Sequence, residues 1–262
     1  MLANYKLALL MTFLAGLATV LGGVLTFFIK RTNMRAISIG LGFSAGVMIF
    51  LSFTEILDGA KELLIDYFPK YSDWMVLVGF SIGLVVAILI DYFIPDHIEE
   101  DLFGCPEKCL QHHKMKRAGL FTAIAVCIHN FPEGMATFFV STQDLQIGAT
   151  VAFAIALHNI PEGIAVALPI YHSTGKKRLA VLYSLLSGIS EPIGALLGLF
   201  VLNYFLPQMA VGFMFAAVAG IMVYISFDTL LPLSKEYGDG HYSVFGIISG
   251  IFLIWCSLLL FN

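Results

Sequence analysis

Charged residues are scarce in this chain: they make up 12% of its 262 residues, whereas 59% of the residues are hydrophobic. A soluble domain typically carries about 25% charged residues to cover its surface, so this composition argues against a soluble fold. A long basic run is also lacking, which removes the usual electrostatic footprint of a nucleic-acid-binding protein. The sequence therefore predicts a protein whose main solvent is the lipid bilayer and whose partners do not include nucleic acids.

Cysteine is rare as well, with four residues, two of which lie in apolar stretches. Four such residues do not make a disulfide framework. Cys105 and Cys109 lie in the longest polar loop and are followed by His112 and His113. Thiolates and imidazoles are ligands that soft metals prefer, but this spacing matches no standard zinc-finger pattern. A metal-receiving loop and an ordinary solvated loop are equally good interpretations.

What the chain does have is a series of long apolar runs divided by polar residues. A hydrocarbon layer about 30 Å thick needs roughly 20 apolar residues per helix, so the length accommodates about eight spans. The first run is too long for a signal-peptide core and is interpreted as a retained span. We predict an all-α membrane protein, one transmembrane domain over residues 1–262, with spans near 5–29, 36–58, 74–94, 118–140, 146–170, 178–202, 209–231 and 242–261 and a loop at 95–117.

Lysine and arginine are distributed unevenly between the predicted loops. The loops on one side, among them 95–117, contain most of these residues, and the opposite side has only Lys6, Lys61 and Lys70. The positive-inside rule makes the basic side cytoplasmic and places both termini outside. The prediction is a multi-pass protein of the inner (plasma) membrane.

A six-residue pattern occurs twice, in predicted spans 4 and 5. The copies are His129-Asn130-Phe131-Pro132-Glu133-Gly134 and His158-Asn159-Ile160-Pro161-Glu162-Gly163. They agree at five of six positions and lie in spans that run in opposite directions. An inverted repeat of this kind builds a central site in many transporters. The prolines predict a bend in each helix, and the glycines permit close helix contact.

Three carboxylates fall near the middle of the bilayer in this prediction: Glu133, Glu162 and, in span 6, Glu191. An unpaired charge at that depth costs about 3 kcal/mol or more. No lysine or arginine is predicted at the same depth to pair with these carboxylates. Protons or water could compensate, but a bound divalent cation fits best. The sequence therefore predicts an intramembrane metal site.

Helical spacing places the histidine, asparagine and glutamate of each motif on one helix face. Two adjoining ligand sets follow, and the two motif glutamates belong to both. Nitrogen with carboxylate ligands suits zinc, and an all-oxygen set tolerates iron, manganese or cadmium. The nitrogen-containing set is His129, His158, Glu133 and Glu162, and the all-oxygen set is Asn130, Asn159, Glu133, Glu162 and Glu191. Met48 lies at a similar depth in span 2 and offers a thioether, although packing explains it equally well.

The two motifs, the Ser187–Pro192 segment of span 6 and the eight spans with external termini resemble the ZIP family of divalent metal transporters, in particular its bacterial ZupT-like branch. The resemblance covers essentially the whole chain. It implies a binuclear centre between spans 4, 5 and 6 flanked by span 2, with the family's metal ligands at the motif positions, at Glu191 and at Met48. It further implies zinc uptake with iron, manganese, cadmium or cobalt as other cargo, no prosthetic group, a homodimer, and alternating access by a sliding four-helix bundle.

Further acidic residues lie outside the repeated motif. Glu55 and Asp58, at the external end of span 2, are predicted to help recruit cations, with a solvated helix end as the alternative. Asp91, at the inner end of span 3, and Asp228, in span 7, are less informative: each could pair with a neighbouring helix or assist proton movement.

Two other functions stay open. An intramembrane metalloprotease usually carries His-Glu-x-x-His, which this chain lacks. A metal-gated receptor or channel could use the same site without carrying its ligand across the membrane. We therefore expect a transporter and not an enzyme.

Overall fold

The computed structural model describes residues 2–30, 33–93, 107–143, 145–201, 208–238 and 240–261, which are almost entirely helical and contain no strand. The α-helices are Leu2–Leu25, Met34–Leu51, Leu57–Ile65, Ser72–Phe93, Glu107–Gln143, Leu145–Thr174, Lys177–Gly188, Ser190–Val201, Gln208–Tyr224, Leu231–Tyr237 and Gly240–Phe261. A 3-10 turn (Thr26–Phe28) and two π segments (Ser52–Ile56 and Ile225–Leu230) connect some of them.

These helices form eight runs that are long and apolar enough to cross a membrane. Spans 1 to 8 are Asn4–Phe28, Met34–Ile65, Ser72–Phe93, His112–Thr142, Gly148–Thr174, Lys177–Leu199, Met209–Tyr237 and His241–Leu259. The predicted all-α, eight-span membrane fold is therefore confirmed.

The helix of span 4 begins well before the sequence predicts. Residues 107–117 were expected to belong to the loop at 95–117, but the helix starts at Glu107. Most residues of this segment are good helix formers such as Glu, Lys, Gln, Leu and Met, so the helix continues beyond the apolar stretch. Of the proposed metal-receiving loop, Cys105 and the side chain of Cys109 lie outside the described residues.

Two other spans also extend beyond their predicted ends, and a third is interrupted. Spans 2 and 7 reach Ile65 and Tyr237 through their π segments, and the helix of span 6 is broken at Ile189. By contrast, the helices of spans 4 and 5 continue through the motif prolines Pro132 and Pro161.

The spans pack as two groups. Spans 1, 4, 5 and 6 contact one another and form a four-helix bundle. Outside it, span 2 packs along span 8, and span 3 packs along span 7. Span 2 then lies against span 5 and span 7 against span 4, so the outer group flanks the bundle at its two motif helices.

Two ion pairs among the described residues link the two groups near the predicted cytoplasmic side. In one, Nζ of Lys114 in span 4 lies 3.6 Å from Oε1 of Glu236 in span 7, and the other joins spans 3 and 4. Arg117 of span 4 lies 3.1 Å from Oδ1 of Asp91 in span 3, and the Tyr224 hydroxyl of span 7 donates to Oδ2 of the same carboxylate at 3.4 Å. The Asp91 carboxylate therefore pairs with groups on two neighbouring helices. Pairing with a neighbouring helix is one of the two roles that the sequence left open for it.

Candidate metal centre

Each histidine of the repeated motif contacts the glutamate of the other copy. Nε2 of His129 lies 3.1 Å from Oε1 of Glu162, and Nε2 of His158 lies 3.6 Å from Oε2 of Glu133. All four residues are buried. Because the two cross-contacts join spans 4 and 5 in the same way, the motifs are related by a pseudo-twofold axis, as the sequence predicted.

The motif asparagines connect this group to the neighbouring helices. Nδ2 of Asn159 donates to Oε1 of Glu191 at 2.5 Å and to the carbonyl of Ala15 at 2.9 Å. Nδ2 of Asn130 donates to the carbonyl of Ser187 at 3.3 Å. Asn130, Asn159 and Glu191 are fully buried, so the predicted all-oxygen residues lie beside the histidine–glutamate pairs.

The motif glycines allow this close assembly. A Cβ atom on Gly134 would lie 2.0 Å from the carbonyl oxygen of Glu191, and one on Gly163 would lie 1.9 Å from that of Thr19. Each motif helix therefore touches a neighbouring backbone directly, and the predicted close contacts are confirmed.

Several oxygen atoms at the centre have no hydrogen-bond partner among the described residues. Oε2 of Glu191 and Oδ1 of Asn159 accept no hydrogen bond from the described residues, although both side chains are buried. A buried acceptor without a partner is costly, and a cation supplies what both oxygens need. The chemistry of the donor set therefore fits a divalent metal.

The side chains are not arranged as a formed coordination shell. In the described ranges, no group of three or more His, Cys, Asp or Glu side chains is placed to hold one ion. The motif carboxylates of Glu133 and Glu162 each face an imidazole instead. An ion shared by both pairs would therefore require these side chains to rotate toward a common point.

A cavity of about 290 Å³ leads to one of the two pairs. Glu133 and His158 line it, together with Glu55 and the apolar residues Val151 and Phe215. The lining residues of spans 2, 4, 5, 7 and 8 come from the halves predicted to face outside. The His129–Glu162 pair does not line the cavity. Of the two predicted recruiting residues, the cavity is lined by Glu55 and not by Asp58.

Met48 is fully buried in span 2, one turn from Ser44, whose hydroxyl donates to the carbonyl of motif residue Pro161 at 2.7 Å. This contact places Met48 alongside span 5. Its role as a thioether ligand stays a prediction.

A second repeat, which the sequence analysis missed, relates span 2 to span 7. Gly46–Phe53 and Gly220–Phe227 share Gly, Met, Ser and Phe at matching positions, and each copy runs into a π segment. In each, a serine donates to the methionine carbonyl four residues earlier: Ser52 to Met48 at 2.7 Å and Ser226 to Met222 at 2.8 Å. Self-comparison of the sequence at this offset would have revealed Met222 as the counterpart of Met48.

A buried cluster of imidazoles, carboxamides and carboxylates inside an eight-span helical bundle defines a membrane protein that handles a cation. Comparison with known proteins narrows this class. The sequence pattern of the ZIP zinc transporters matches residues 96–257. The chain belongs to the ZIP family of zinc transporters, a family of carriers and not of enzymes.

Similar proteins cover nearly the whole chain. The zinc transporter ZupT of Akkermansia muciniphila is 45% identical over 258 residues, which is 95% of this chain and 96% of that protein. The zinc transporter ZupT of Streptococcus mutans is 46% identical over 256 residues, 97% of each chain. The zinc transporter ZupT of Nitratidesulfovibrio vulgaris is 46% identical over 271 residues, 98% of each chain. The predicted family, its ZupT-like branch and the multi-pass plasma-membrane location are thus confirmed.

Proposed function

We propose that this protein carries zinc across the plasma membrane into the cytoplasm, and that the two cross-paired motifs bind it on the way. The observation that carries the proposal is the pair of buried contacts between His129 and Glu162 and between His158 and Glu133. Imidazole with carboxylate is a ligand combination that zinc favours. The similar bacterial proteins are named zinc transporters, which supports the same cargo.

The ligand set we propose is the predicted one. Its members lie on spans 2, 4, 5 and 6 and are all buried: Met48, His129, Asn130, Glu133, His158, Asn159, Glu162 and Glu191. Because Glu133 and Glu162 belong to both the nitrogen-containing and the all-oxygen sets, they are the natural bridge between two ions.

The position of the cavity supports an order of events for the proposed transport. The cavity reaches Glu133 and His158 from the predicted external side and stops short of the His129–Glu162 pair. An entering cation therefore meets the first pair before the second. Release to the cytoplasm requires the four-helix bundle of spans 1, 4, 5 and 6 to move relative to the outer helices, as the family resemblance implies.

Uptake into sealed proteoliposomes tests the proposal. Saturable zinc entry that depends on Glu133 and Glu162 supports a carrier. Zinc binding to the purified protein without any flux would identify a metal-gated receptor, and zinc-dependent cleavage of a membrane substrate would identify a protease. Either of these last results contradicts the proposal.

Cargo selectivity should respond to the imidazoles. His158→Gln replaces a nitrogen ligand by oxygen in the pair that lines the cavity, so the KM for zinc should rise about tenfold, with a smaller change for manganese or iron. Competition of each unlabelled metal against labelled zinc measures this. If the apparent affinity falls equally for all metals, the imidazole of His158 does not set cargo selectivity.

Glu55 is expected to help capture cations at the mouth of the cavity. Glu55→Gln removes its charge, and the KM for zinc should rise a few-fold at low ionic strength, with the maximal rate unchanged, because steering raises local cation concentration without taking part in later steps. Glu62→Gln is the matched control, since this exposed carboxylate in the same span does not line the cavity. Equal effects of both variants would refute a specific role for Glu55.

The other predicted properties also remain proposals. Iron, manganese, cadmium and cobalt are proposed as secondary cargo because of the all-oxygen set, and competition experiments address them. The homodimer that the resemblance implies is checked by light scattering of the solubilised protein.

A further inference from the structure

Spans 1 and 6 each contain two glycines six residues apart with a polar residue midway between them. The two helices cross at these glycines. The residues are Gly16-x2-Thr19-x2-Gly22 in span 1 and Gly188-x2-Glu191-x2-Gly194 in span 6. A Cβ on Gly16 would lie 2.3 Å from the carbonyl oxygen of Gly188, and a Cβ on Gly188 would lie 2.3 Å from that of Gly16. Such a reciprocal contact is expected of two helices related by a twofold axis.

The same correspondence continues into the motif helices. A Cβ on Gly22 would lie 2.1 Å from the carbonyl oxygen of Ile160, and one on Gly194 would lie 2.0 Å from that of Phe131. Ile160 and Phe131 are the variable residues of the two motifs. The motif glycines complete the match, because one contacts the backbone of Thr19 and the other that of Glu191. The axis that exchanges spans 4 and 5 thus also exchanges spans 1 and 6, and Thr19 is the counterpart of Glu191.

The asparagine contacts obey this symmetry. Asn159 donates to the carbonyl of Ala15, four residues before Thr19, and Asn130 donates to that of Ser187, four residues before Glu191. Since Asn159 also donates to the Glu191 carboxylate, the position equivalent to that carboxylate on the Asn130 side belongs to Thr19.

The Asn130 amide has two terminal atoms, and one of them faces the carbonyl of Ser187. The other lies 3.2 Å from Oε2 of Glu162 and 3.0 Å from Nε2 of His129. The half of the centre that contains Asn130 thus has an imidazole, a carboxylate and a carboxamide, as does the half that contains Asn159. What differs between the halves is a hydroxyl in place of a carboxylate.

The Thr19 hydroxyl has no other visible role. Its side chain is fully buried, and Oγ1 makes no hydrogen bond with the described residues. Thr12 and Thr26 of the same run are equally buried, but their hydroxyls donate to the carbonyls of Ala8 at 3.0 Å and Gly23 at 2.7 Å. A buried hydroxyl normally finds such a partner within its own helix, and of these three span 1 hydroxyls only that of Thr19 lacks one among the described residues. Together with its position opposite Asn130, this leaves the Thr19 oxygen available to a bound cation.

We propose that Thr19 supplies a further oxygen ligand to the transported cation, so that span 1 completes the site on the Asn130 side as Glu191 does on the Asn159 side. This inference rests on the proposed function. It also explains why the two halves are chemically unequal: a neutral hydroxyl in one half leaves three carboxylates in the site, and a fourth would hold a divalent ion more tightly and slow its release.

Equilibrium zinc binding to the purified protein and zinc uptake by proteoliposomes test this with four variants. Thr19→Val removes the hydroxyl at nearly constant volume and should weaken zinc binding about tenfold and raise the KM in proportion. Thr19→Ser keeps the oxygen and should stay within about twofold of the native protein. Thr19→Glu should bind zinc more tightly and lower the maximal rate. Thr12→Val is the matched control and should leave both measurements unchanged.

Several results would overturn the inference. Native-like binding by Thr19→Val, or equal weakening by Thr19→Val and Thr19→Ser, would leave Thr19 with a packing role only. If Thr19→Val does not fold, Thr19→Glu decides, and unchanged or weaker zinc binding by that variant counts against a ligand at this position. If the native protein binds zinc but does not transport it, the proposed function is refuted. The binding measurements on the Thr19 variants then still test whether Thr19 is a ligand. A native protein that neither binds nor carries zinc defeats both.

Discussion

Glu162→Gln is expected to reduce zinc uptake by a factor of about one hundred or more. Glu162 is fully buried, and its carboxylate lies 3.1 Å from His129. Glutamine has nearly the same size, so packing is retained, but the charge that balances a divalent ion is lost. Removing one charged partner from a buried binding contact weakens binding by about 2–5 kcal/mol, and each 1.4 kcal/mol or so corresponds to a factor of ten. Initial rates of labelled zinc entry into proteoliposomes measure the effect.

Glu62→Gln serves as the control for this variant, because it removes an exposed carboxylate from the same protein. It should keep the native rate, since exposed charges contribute little. Both variants are compared at equal amounts of monodisperse protein, so that a folding defect is not mistaken for lost transport. Native-like uptake by Glu162→Gln would show that the cross-paired motifs are not the path of the ion.

Gly134→Ala is expected to destabilise the fold itself. The added Cβ would lie 2.0 Å from the carbonyl oxygen of Glu191 and 2.6 Å from its Cα. These are backbone atoms that cannot turn aside, so spans 4 and 6 would have to separate. Overpacking of this kind costs about 1–3 kcal/mol or more. For a chain of this size, we expect the Tm to fall by roughly 5 °C or more. Thermal unfolding of the detergent-solubilised protein monitors it.

Gly59→Ala is the matched substitution. Its Cβ would meet only the ring of Phe215, at 3.8 Å, which is an ordinary contact. Because alanine restricts the unfolded chain more than glycine does, this variant should be neutral or slightly more stable. If Gly134→Ala has the same Tm as the native protein, spans 4 and 6 do not make the close backbone contact described here.

Much of the site could be predicted from the chain because its signals are local. His129 and Glu133 share a face through helical spacing alone, and a carboxylate in the middle of an apolar run requires a compensating partner wherever the helix packs. The repeat of the motif at His158 and Glu162 is visible by inspection. These features led to the family resemblance, which comparison with known proteins confirmed.

Other features could not be predicted because they depend on which helices meet. The spacing within one motif does not reveal that His129 contacts Glu162 and not Glu133. The helix ends were also missed where polar but helix-favouring residues extend an apolar run, as at Glu107. The π segments were missed as well: each contains a serine that donates to the carbonyl four residues earlier, but so do residues of regular α-helix such as Ser141, so this feature does not identify them.

The sequence by itself thus determined the membrane environment, the number of spans and the residue types of the centre, because bilayer thickness and helical periodicity act on each segment separately. Only the tertiary structure decided which donors face each other, which pair the cavity reaches, and that Thr19 occupies the position equivalent to Glu191. The physical reason is that such contacts are set by the approach of distant backbones, which glycines permit but do not specify.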